Sequence, residues 1–303
     1  NHPVPWPRIP VTNPSAPSSP DWAWVDDQLL PLAEARIPVL DLGFLRGLGV
    51  FETTRTYQGQ PHALDEHLQR LEASATTCGF RCPIDATELR RRIALVRQRR
   101  PESEFRINLI LTPGDHIGGV FEATSPRLVI LLRQLSPPPA HWYSDGIRVV
   151  TFAGSRVQPE SKTTAYLSGR AGLAAAAEDG AEEALYRDEQ GFISEGVTSN
   201  VLLVSGGELL SPNAPSLAGI TRAGLIDLAA DAGLPHRFTP VHHDHLLAAD
   251  EVWICSSVRE LVPVIAVDGQ PIADGRPGPR ARQLIPRYHQ HCVDESLQAA
   301  DVD

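Results

Sequence analysis

The alternation of hydrophobic and polar positions predicts strands and helices in the first half of the chain. Segments with period-two alternation, typical of strands, and segments with helical spacing of apolar residues lie close together along this half of the chain. Gln58-Gly59-Gln60 has the composition of a hairpin tip. The predicted segments here are strands within 23–41 and 50–64, helices at 65–77 and 86–100, and strands at 105–112 and 127–133. This mixture predicts an α+β unit.

The second half of the chain follows a linker marked by Pro137-Pro138-Pro139. The predicted segments beyond it are strands at 147–152, 183–187, 192–194, 199–204, 251–255 and 262–267, a helix near 166–179, and a helix that opens at Thr221. We therefore predict two α+β domains: a small N-terminal domain over 21–136, an interdomain linker over 137–145 and a large C-terminal domain over 146–303. Residues 1–20 contain seven prolines and no periodicity, so we expect a flexible arm.

Composition and charge argue against two classes of partner. The 303 residues are 42% hydrophobic, which is ample for a core, but no run approaches the roughly 18 apolar residues that a membrane span needs. The net charge of −10 argues against nucleic acid, because neutralising phosphates requires a basic surface. We expect small-molecule partners.

Cysteine and histidine positions indicate neither disulfides nor a metal site. The four cysteines lack the density of a disulfide framework and the spacing of a zinc site, and no signal peptide is recognisable. A reduced, cytoplasmic protein is expected. His242, His243, Asp244 and His245 are contiguous, and contiguous loop residues cannot all turn toward one ion, so we expect no metal.

Lys162 is the only lysine in the chain, whereas the other 26 of the 27 basic residues are arginines. Arginine replaces lysine wherever only positive charge is needed, but it stays protonated and cannot become a nucleophilic amine. A single retained lysine therefore indicates amine chemistry, foremost a Schiff base with a carbonyl cofactor. The alternative is a surface lysine left by chance.

Three further segments supply groups that pyridoxal phosphate requires beside such an amine. Glu195 comes just before a predicted strand, and it can keep the cofactor's ring nitrogen protonated. The segment 217–222 opens a helix whose free N–H groups can bind phosphate. Ser256 and Ser257 offer hydroxyls at a strand end. Taken singly, Glu195 could be an exposed acid and the helix start an ordinary cap.

These segments resemble the class IV aminotransferases, the fold-type IV enzymes that depend on pyridoxal phosphate. The resemblance runs from about Trp22 to Pro263. The motifs that carry it are AspLeuGly and GlyValPheGlu-x-x-Arg within 41–55, GluHisLeuGlnArgLeu at 66–71, the lysine segment 161–166, GluGlyValThrSerAsn at 195–200, LeuAlaGlyIleThrArg at 217–222 and SerSerValArgGluLeuValProVal at 256–264. Ordered motifs over four-fifths of the chain make the resemblance specific.

The resemblance implies a fold and a set of cofactor contacts. The fold would be a small N-terminal α/β sandwich and a larger C-terminal pseudo-barrel, with the cofactor between them and a homodimer whose neighbour helps close the pocket. By motif, Lys162 corresponds to the Schiff-base lysine and Glu195 to the partner of the ring nitrogen. The other implied cofactor contacts are Arg70, the backbone amides of Ile220 and Thr221, the Ser257 hydroxyl and Tyr166, which would bond the phenolic oxygen.

The implied activity is amino transfer between an amino acid and a 2-oxo acid. Aminodeoxychorismate lyase, which eliminates pyruvate with the same lysine and cofactor, and an (R)-amine transaminase are the enzyme alternatives. A binding protein that kept the fold and lost catalysis is the non-enzyme alternative. Arginines clamp carboxylates with two parallel hydrogen bonds. The residues predicted to face substrate are therefore Arg46, Arg55, Arg106 and Arg259, together with Phe51 and Ser256.

Overall fold

The computed structural model describes residues 21–98 and 104–300. The predicted arm at 1–20 lies outside these residues. Within them the chain forms two β-sheets, of six and nine strands, with helices packed against both. The α+β class predicted from the sequence is confirmed, while the domain boundaries at 21–136, 137–145 and 146–303 stay predictions.

The first sheet comes from the N-terminal part of the chain. Its strands are β1 (Trp22–Val25), β2 (Gln28–Pro31), β3 (Val50–Tyr57), β4 (Gln60–Pro61), β5 (Phe105–Thr112) and β6 (Arg127–Gln134), in the spatial order β2-β1-β6-β5-β3-β4. All neighbouring strands are antiparallel. The β3–β4 connection confirms the predicted hairpin tip, because Gln58 and Gly59 both have positive φ, as a tight two-residue turn requires.

Helices cover one face of the first sheet, and the opposite face contributes to the candidate active site described below. Side chains alternate between the faces of a strand, so Val50, Glu52 and Thr54 of β3 point one way, and Phe51 and Thr53 the other. The first face packs its apolar residues under two helices. Leu68, Leu71, Leu89 and Ile93 of those helices are buried against Ile107, Leu109, Ile130 and Leu132 of the sheet.

The second sheet is mixed and lies in the C-terminal part of the chain. Its strands are β7 (Ile147–Ala153), β8 (Glu183–Arg187), β9 (Ile193–Gly196), β10 (Asn200–Ser205), β11 (Glu208–Pro212), β12 (His236–Thr239), β13 (Glu251–Ser256), β14 (Glu260–Val267) and β15 (Gln270–Pro271), in the order β12-β11-β10-β13-β14-β7-β8-β9 with β15 beside β14. Its buried Val, Leu and Ile residues form the largest part of the core.

The helices connect and cover these sheets. They are α1 (Leu42–Arg46), α2 (Leu64–Thr77), α3 (Ala86–Arg97), α4 (His141–Ser144), α5 (Leu167–Asp179), α6 (Ile220–Asp231), α7 (His243–Leu247) and α8 (Pro279–Ala300), with a short 3-10 helix at Leu32–Glu34. The predicted helices at 65–77, 86–100 and 166–179 correspond to α2, α3 and α5.

Several segments differ from the sequence prediction. The strands β11, β12 and β15 and the short helices α1, α4 and α7 were not predicted. The strand-like pattern at 23–41 forms a strand only over β1 and β2, and 35–40 has no regular structure. The 22-residue helix α8 was not predicted. It buries Ala281, Leu284, Tyr288 and Cys292, a stripe with helical spacing that Pro286 and the polar residues around it conceal in the sequence.

Candidate active site

Lys162 lies in the loop between β7 and α5, against the open face of the first sheet. The Phe51 N–H donates to the Lys162 carbonyl at 2.8 Å, and the Lys162 N–H donates to Ser74 Oγ at 3.1 Å. The amine nitrogen Nζ lies 4.7 Å from the centre of the Phe51 ring. Backbone bonds to β3 and α2 therefore fix the position of the only lysine.

The surroundings of Lys162 favour its neutral amine. Burial lowers its pKa from 10.5 to about 8, and the charges of Arg70 and Arg156 act in the same direction, while Glu52 and Glu195 oppose them. A neutral amine is the form that attacks carbonyls and removes protons. The site therefore makes the neutral amine of Lys162 accessible near pH 8, well below the pH at which an exposed lysine loses its proton.

Glu195 is a buried carboxylate on β9, only 3% exposed. Arg156 Nη1 lies 3.1 Å from Glu195 Oε1, and the Leu217 N–H donates to Oε2 at 3.2 Å. Burial raises the pKa of Glu195, while Arg156 and the Leu217 N–H hold it down. These contacts fix a carboxylate that can accept a hydrogen bond from a protonated ring nitrogen.

Arg70 on α2 is held by a buried network. Its Nε and Nη2 donate to the two oxygens of Glu52 at 2.7 and 2.8 Å, and Nη1 donates to the Ala218 carbonyl at 2.7 Å. Glu52 also pairs with His67 Nδ1 at 2.8 Å, and His67 Nε2 lies 3.5 Å from Ser257 Oγ. Burial alone would raise the pKa of Glu52, but Arg70 and His67 hold it near 2.

The start of α6 lies beside this network. Gly219, the residue before the helix, has an extended backbone, and no side chain of the described residues caps the first N–H groups of Ile220 and Thr221. Arg70 uses three of its five N–H donors on protein acceptors and keeps two for a ligand. Free amide donors, a guanidinium and a serine hydroxyl are a donor set that fits a phosphate group.

One cavity joins all the residues predicted to bind the cofactor. Its lining includes Arg70, Lys162, Tyr166, Glu195, Ile220, Thr221 and Ser257. Tyr166 precedes α5 and is 40% exposed, and its ring lies 5.7 Å from that of Phe51. The tertiary structure thus gathers residues spread over nearly 190 positions of the chain. They form an arrangement with an amine, a carboxylate and a set of donors that fits a phosphate group, which we call the phosphate seat: Arg70, the amides of Ile220 and Thr221, and the Ser257 hydroxyl.

A second cavity opens beside the first and shares Lys162 and Tyr166 with it. Four residues predicted to face substrate line this second cavity, namely Phe51, Arg106, Ser256 and Arg259. It meets the lysine and shares Ser257 with the first cavity, but it does not include Arg70 or the start of α6, so it has the position of a substrate cavity. We call it the substrate cavity below.

The other two predicted substrate residues lie elsewhere in the described part of the chain. Arg46 is exposed at the end of α1, and its Nη1 donates to the Leu45 carbonyl at 3.1 Å. Arg55 lies 3.4 Å from Glu260 Oε1, and its guanidinium covers the Tyr57 ring at 4.3 Å. Arg55 is therefore engaged by protein groups, and neither arginine lines the two cavities of this chain. Their contact with substrate stays a prediction.

Three residues of the site were not singled out from the sequence. Glu52 and His67 stand inside the quoted motifs at 41–55 and 66–71, yet nothing in those motifs says that they hold Arg70. Arg156 has no motif of its own, and only the folded chain brings it to Glu195. Charge pairing across more than 30 residues cannot be inferred from one sequence.

Neither a metal cluster nor a membrane helix is found within 21–98 and 104–300. No group of three His, Cys, Asp or Glu side chains there could hold a metal ion. His243 instead pairs with Asp268 at 3.0 Å. None of the helices in those ranges is long and apolar enough to cross a membrane.

Comparison of this sequence with known protein families and proteins identifies its relatives. The family model for amino-transferase class IV matches residues 49–267. A D-alanine aminotransferase of Bacillus licheniformis is 29% identical over 279 residues, covering 89% of this chain and 97% of that relative. The branched-chain-amino-acid aminotransferase of Pseudomonas aeruginosa is 27% identical, covering 88% and 91%. The aminodeoxychorismate lyase of Bacillus subtilis is 28% identical, covering 81% and 86%.

Solved structures agree with the sequence relatives. The branched-chain amino acid aminotransferase of Escherichia coli superposes with a TM-score of 0.83 at 25% identity, covering 91% of this chain and 96% of that one. The T.th. branched-chain amino acid aminotransferase in complex with N-(5'-phosphopyridoxyl)-L-glutamate gives a TM-score of 0.83 at 26% identity, covering 91% and 95%. This chain therefore belongs to the class IV aminotransferases, two-domain α+β enzymes of fold type IV that use pyridoxal phosphate.

Proposed function

We propose that this protein transfers an amino group between an amino acid and a 2-oxo acid, with Lys162 as its catalytic residue. The observation that carries the proposal is the single cavity in which the only lysine, a buried carboxylate and a phosphate seat meet. The substrate cavity opens on the same lysine and offers guanidinium groups to a substrate carboxylate.

Each cofactor contact follows from the chemistry of the residue. Arg70, the first amides of α6 and the Ser257 hydroxyl would hold the phosphate, while Glu195 would hold the ring nitrogen. When bound, pyridoxal phosphate supplies an aldehyde that condenses with amines and a ring that accepts electrons. Tyr166 would donate to the phenolic oxygen at the cavity wall.

Lys162 would both anchor the cofactor and move the proton of the substrate. After the amine of the substrate has replaced it, the freed Lys162 amine can remove the proton from the α-carbon of the substrate. The pKa of about 8 suits this step, because the neutral base and its protonated form are both accessible near pH 8. The ammonium so formed would deliver that proton to the cofactor carbon within the same half-reaction, so that Lys162 ends the first half of the transfer as a neutral amine again.

A half-reaction panel tests this function. The cofactor-loaded protein would be mixed separately with L- and D-alanine, L- and D-glutamate, L- and D-leucine and (R)-1-phenylethylamine, while the visible absorbance band is followed. Loss of the band with an amino acid names the donor and its handedness, and conversion by the amine alone would instead indicate an amine transaminase. If no donor removes the band while aminodeoxychorismate yields pyruvate, the protein is a lyase.

We also propose that a second copy of the chain covers an exposed apolar surface. Ile37, Val39, Leu40 and Phe44 are 44–73% exposed, and Phe121 of a neighbouring loop is 69% exposed. The two segments are joined by a hydrogen bond from the amide of residue 116 to the Leu40 carbonyl at 2.8 Å. Monomers rarely leave such apolar groups together in water.

Light scattering after gel filtration tests the homodimer. Phe44→Asp should shift the protein toward the monomer, whereas Leu297→Asp, which changes an exposed apolar residue of helix α8, should leave the mass unchanged. A monomeric unaltered protein would contradict the proposal.

A cytoplasmic location is likewise a proposal, supported by the four cysteines, which are all free.

A further inference from the structure

His67 lies in the buried network that supports the phosphate seat. Its side chain is on α2 and is only 1% exposed. Nδ1 lies 2.8 Å from Glu52 Oε2, and Nε2 lies 3.5 Å from Ser257 Oγ. Among residues 21–98 and 104–300, these are the only hydrogen-bond partners of the imidazole. The ring therefore connects a buried carboxylate to a hydroxyl that lines the cofactor cavity.

Glu52 determines which ring nitrogen of a neutral His67 carries the proton. Burial alone would raise the pKa of Glu52, but Arg70 and His67 hold it near 2, so the carboxylate is ionised. An ionised carboxylate only accepts hydrogen bonds, and the N–H of His67 must therefore be on Nδ1. Nε2 then carries a lone pair, so it can bond Ser257 only as an acceptor.

The protein's own groups favour this neutral form of His67. Burial lowers its pKa below the ordinary 6.5, and the like charges of Arg70 and Lys162 lower it further, while the contact with Glu52 opposes them. Those three charged groups and the Ser257 hydroxyl face the ring from β3, α2, the lysine loop and the turn between β13 and β14. In protein freed of cofactor, the Ser257 hydroxyl therefore donates to Nε2.

A phosphate in the seat competes with His67 for the single proton of the Ser257 hydroxyl. A phosphate dianion accepts hydrogen bonds but donates none. If the hydroxyl turns to the phosphate, Nε2 of a neutral His67 loses its partner, and an unpaired buried polar atom is unfavourable. If the hydroxyl stays with His67, its oxygen presents only lone pairs to the anion. A proton added to Nε2 satisfies all three groups, because His67 donates to Ser257 and Ser257 donates to the phosphate.

We propose that His67 takes up one proton when the phosphate group of the cofactor binds, with Ser257 as the link between them. The proton comes from solvent and binds Nε2, and no other bond of the protein forms or breaks. The imidazolium would also add a positive charge behind the dianion, and it would pair with Glu52 through the contact that Nδ1 already makes. His67 acts through Ser257, so it is a positioning residue. The inference rests on the phosphate seat and on no particular amino donor.

Nitrogen NMR of the histidine rings tests the proposal on the cofactor-loaded protein. The histidines would be labelled with nitrogen-15, and the His67 signals are those that His67→Gln removes. Near pH 7 we expect both ring nitrogens of His67 to be protonated in the loaded protein, and only Nδ1 in protein freed of cofactor by dialysis. A His67 that stays neutral in the loaded protein would overturn the proposal.

Calorimetry with sulfate shows whether an anion in the seat is sufficient for the proton uptake. Sulfate has the shape and charge of a phosphate dianion, but it has no aldehyde and no proton to exchange near pH 7. The protein used is Lys162→Met without cofactor, because Lys162, with a pKa of about 8, would itself take up protons. The heats of binding are compared in Bis-Tris and Tris buffers, since proton uptake makes them depend on the ionisation heat of the buffer.

The expected uptake is close to one proton for each sulfate bound. The pKa of His67 is below 6.5 before binding and would be raised by the anion, so the affinity falls as the pH rises between these two values. From pH 6.5 to 7.5 it should therefore fall nearly tenfold, since one proton is linked to binding. No binding of sulfate, or binding without proton uptake while His67 is intact, would overturn the proposal.

One substitution and one control separate the proton from the hydrogen bond. In the same Lys162→Met protein, His67→Gln supplies an amide that can donate to Ser257 without taking up a proton. Its affinity for sulfate should therefore change less than about twofold over that pH range. His141→Gln removes an exposed histidine of α4 and should keep the full uptake. Uptake that persists in His67→Gln would assign the proton to another group and contradict the proposal.

The outcome is separable from that of the proposed function. If amino donors convert the cofactor but His67 stays neutral in the loaded protein, amino transfer stands and the inference about His67 is wrong. If no donor reacts but sulfate binding takes up a proton that depends on His67, the inference stands and amino transfer is wrong.

Discussion

Replacing Lys162 by methionine should abolish function and yet stabilise the cofactor-free protein at neutral pH. Methionine has a similar length and no charge, so it fills the space of the lysine without an ammonium group. In the unaltered protein the pKa of Lys162 is about 8 when folded, against 10.5 as its ordinary value. Folding therefore works against the charged form.

The magnitude follows from the difference between these two pKa values. Because each pH unit corresponds to about 1.4 kcal/mol, holding the ammonium in the folded site costs about 3 kcal/mol at pH 7. The folded pKa is the lower one, so this cost is complete below pH 8 and fades as the pH rises from about 8 toward 10.5. At pH 10 it should have fallen below about 1 kcal/mol.

Urea unfolding of the cofactor-free protein at pH 7 and pH 10 measures this effect. The advantage of Lys162→Met over the unaltered protein should be larger at pH 7 by about 2 kcal/mol. Arg91→Met, which removes an exposed charge, should show no such change with pH. An equal advantage at both pH values, or a less stable Lys162→Met at pH 7, would refute the argument that burial depresses the pKa.

Four further substitutions test the lysine and two of the carboxylates around it. Lys162→Ala should fold and lose all turnover, and Lys162→Arg should be no better because a guanidinium cannot attack a carbonyl; turnover in either would contradict the role of the lysine. Glu195→Gln should keep the cofactor but slow the half-reaction at least about tenfold, since a neutral amide cannot hold the ring nitrogen protonated; an unchanged rate would show another partner. Glu52→Gln should loosen Arg70 and raise the dissociation constant of the cofactor about tenfold, as measured by dialysis and fluorescence, whereas an unchanged constant would mean that Arg70 needs no support.

The sequence by itself predicted which residues would form the cofactor site, and the fold brings them to one cavity. Only lysine can supply the amine, and only one lysine exists, so Lys162 could be assigned without coordinates. The motifs around Arg70, Glu195 and 217–222 are short and local, so the roles proposed for them could be predicted from one sequence. The strands β5 and β6 were likewise predicted almost to the residue, because each is a short run rich in Ile and Leu that is buried over most of its length.

The tertiary structure alone decided which arginines are free to meet a substrate. Arg55 and Arg106 stand on neighbouring strands and look equivalent in the sequence. Glu260, some 200 positions later, pairs with Arg55, while Arg106 forms no ion pair with any residue of 21–98 and 104–300. Helix α8 was hidden for a related reason: Pro286 breaks its hydrogen-bond ladder, and burial of its apolar stripe against α6 offsets that loss. Long-range charge pairing and packing depend on distances between segments, which one sequence does not contain.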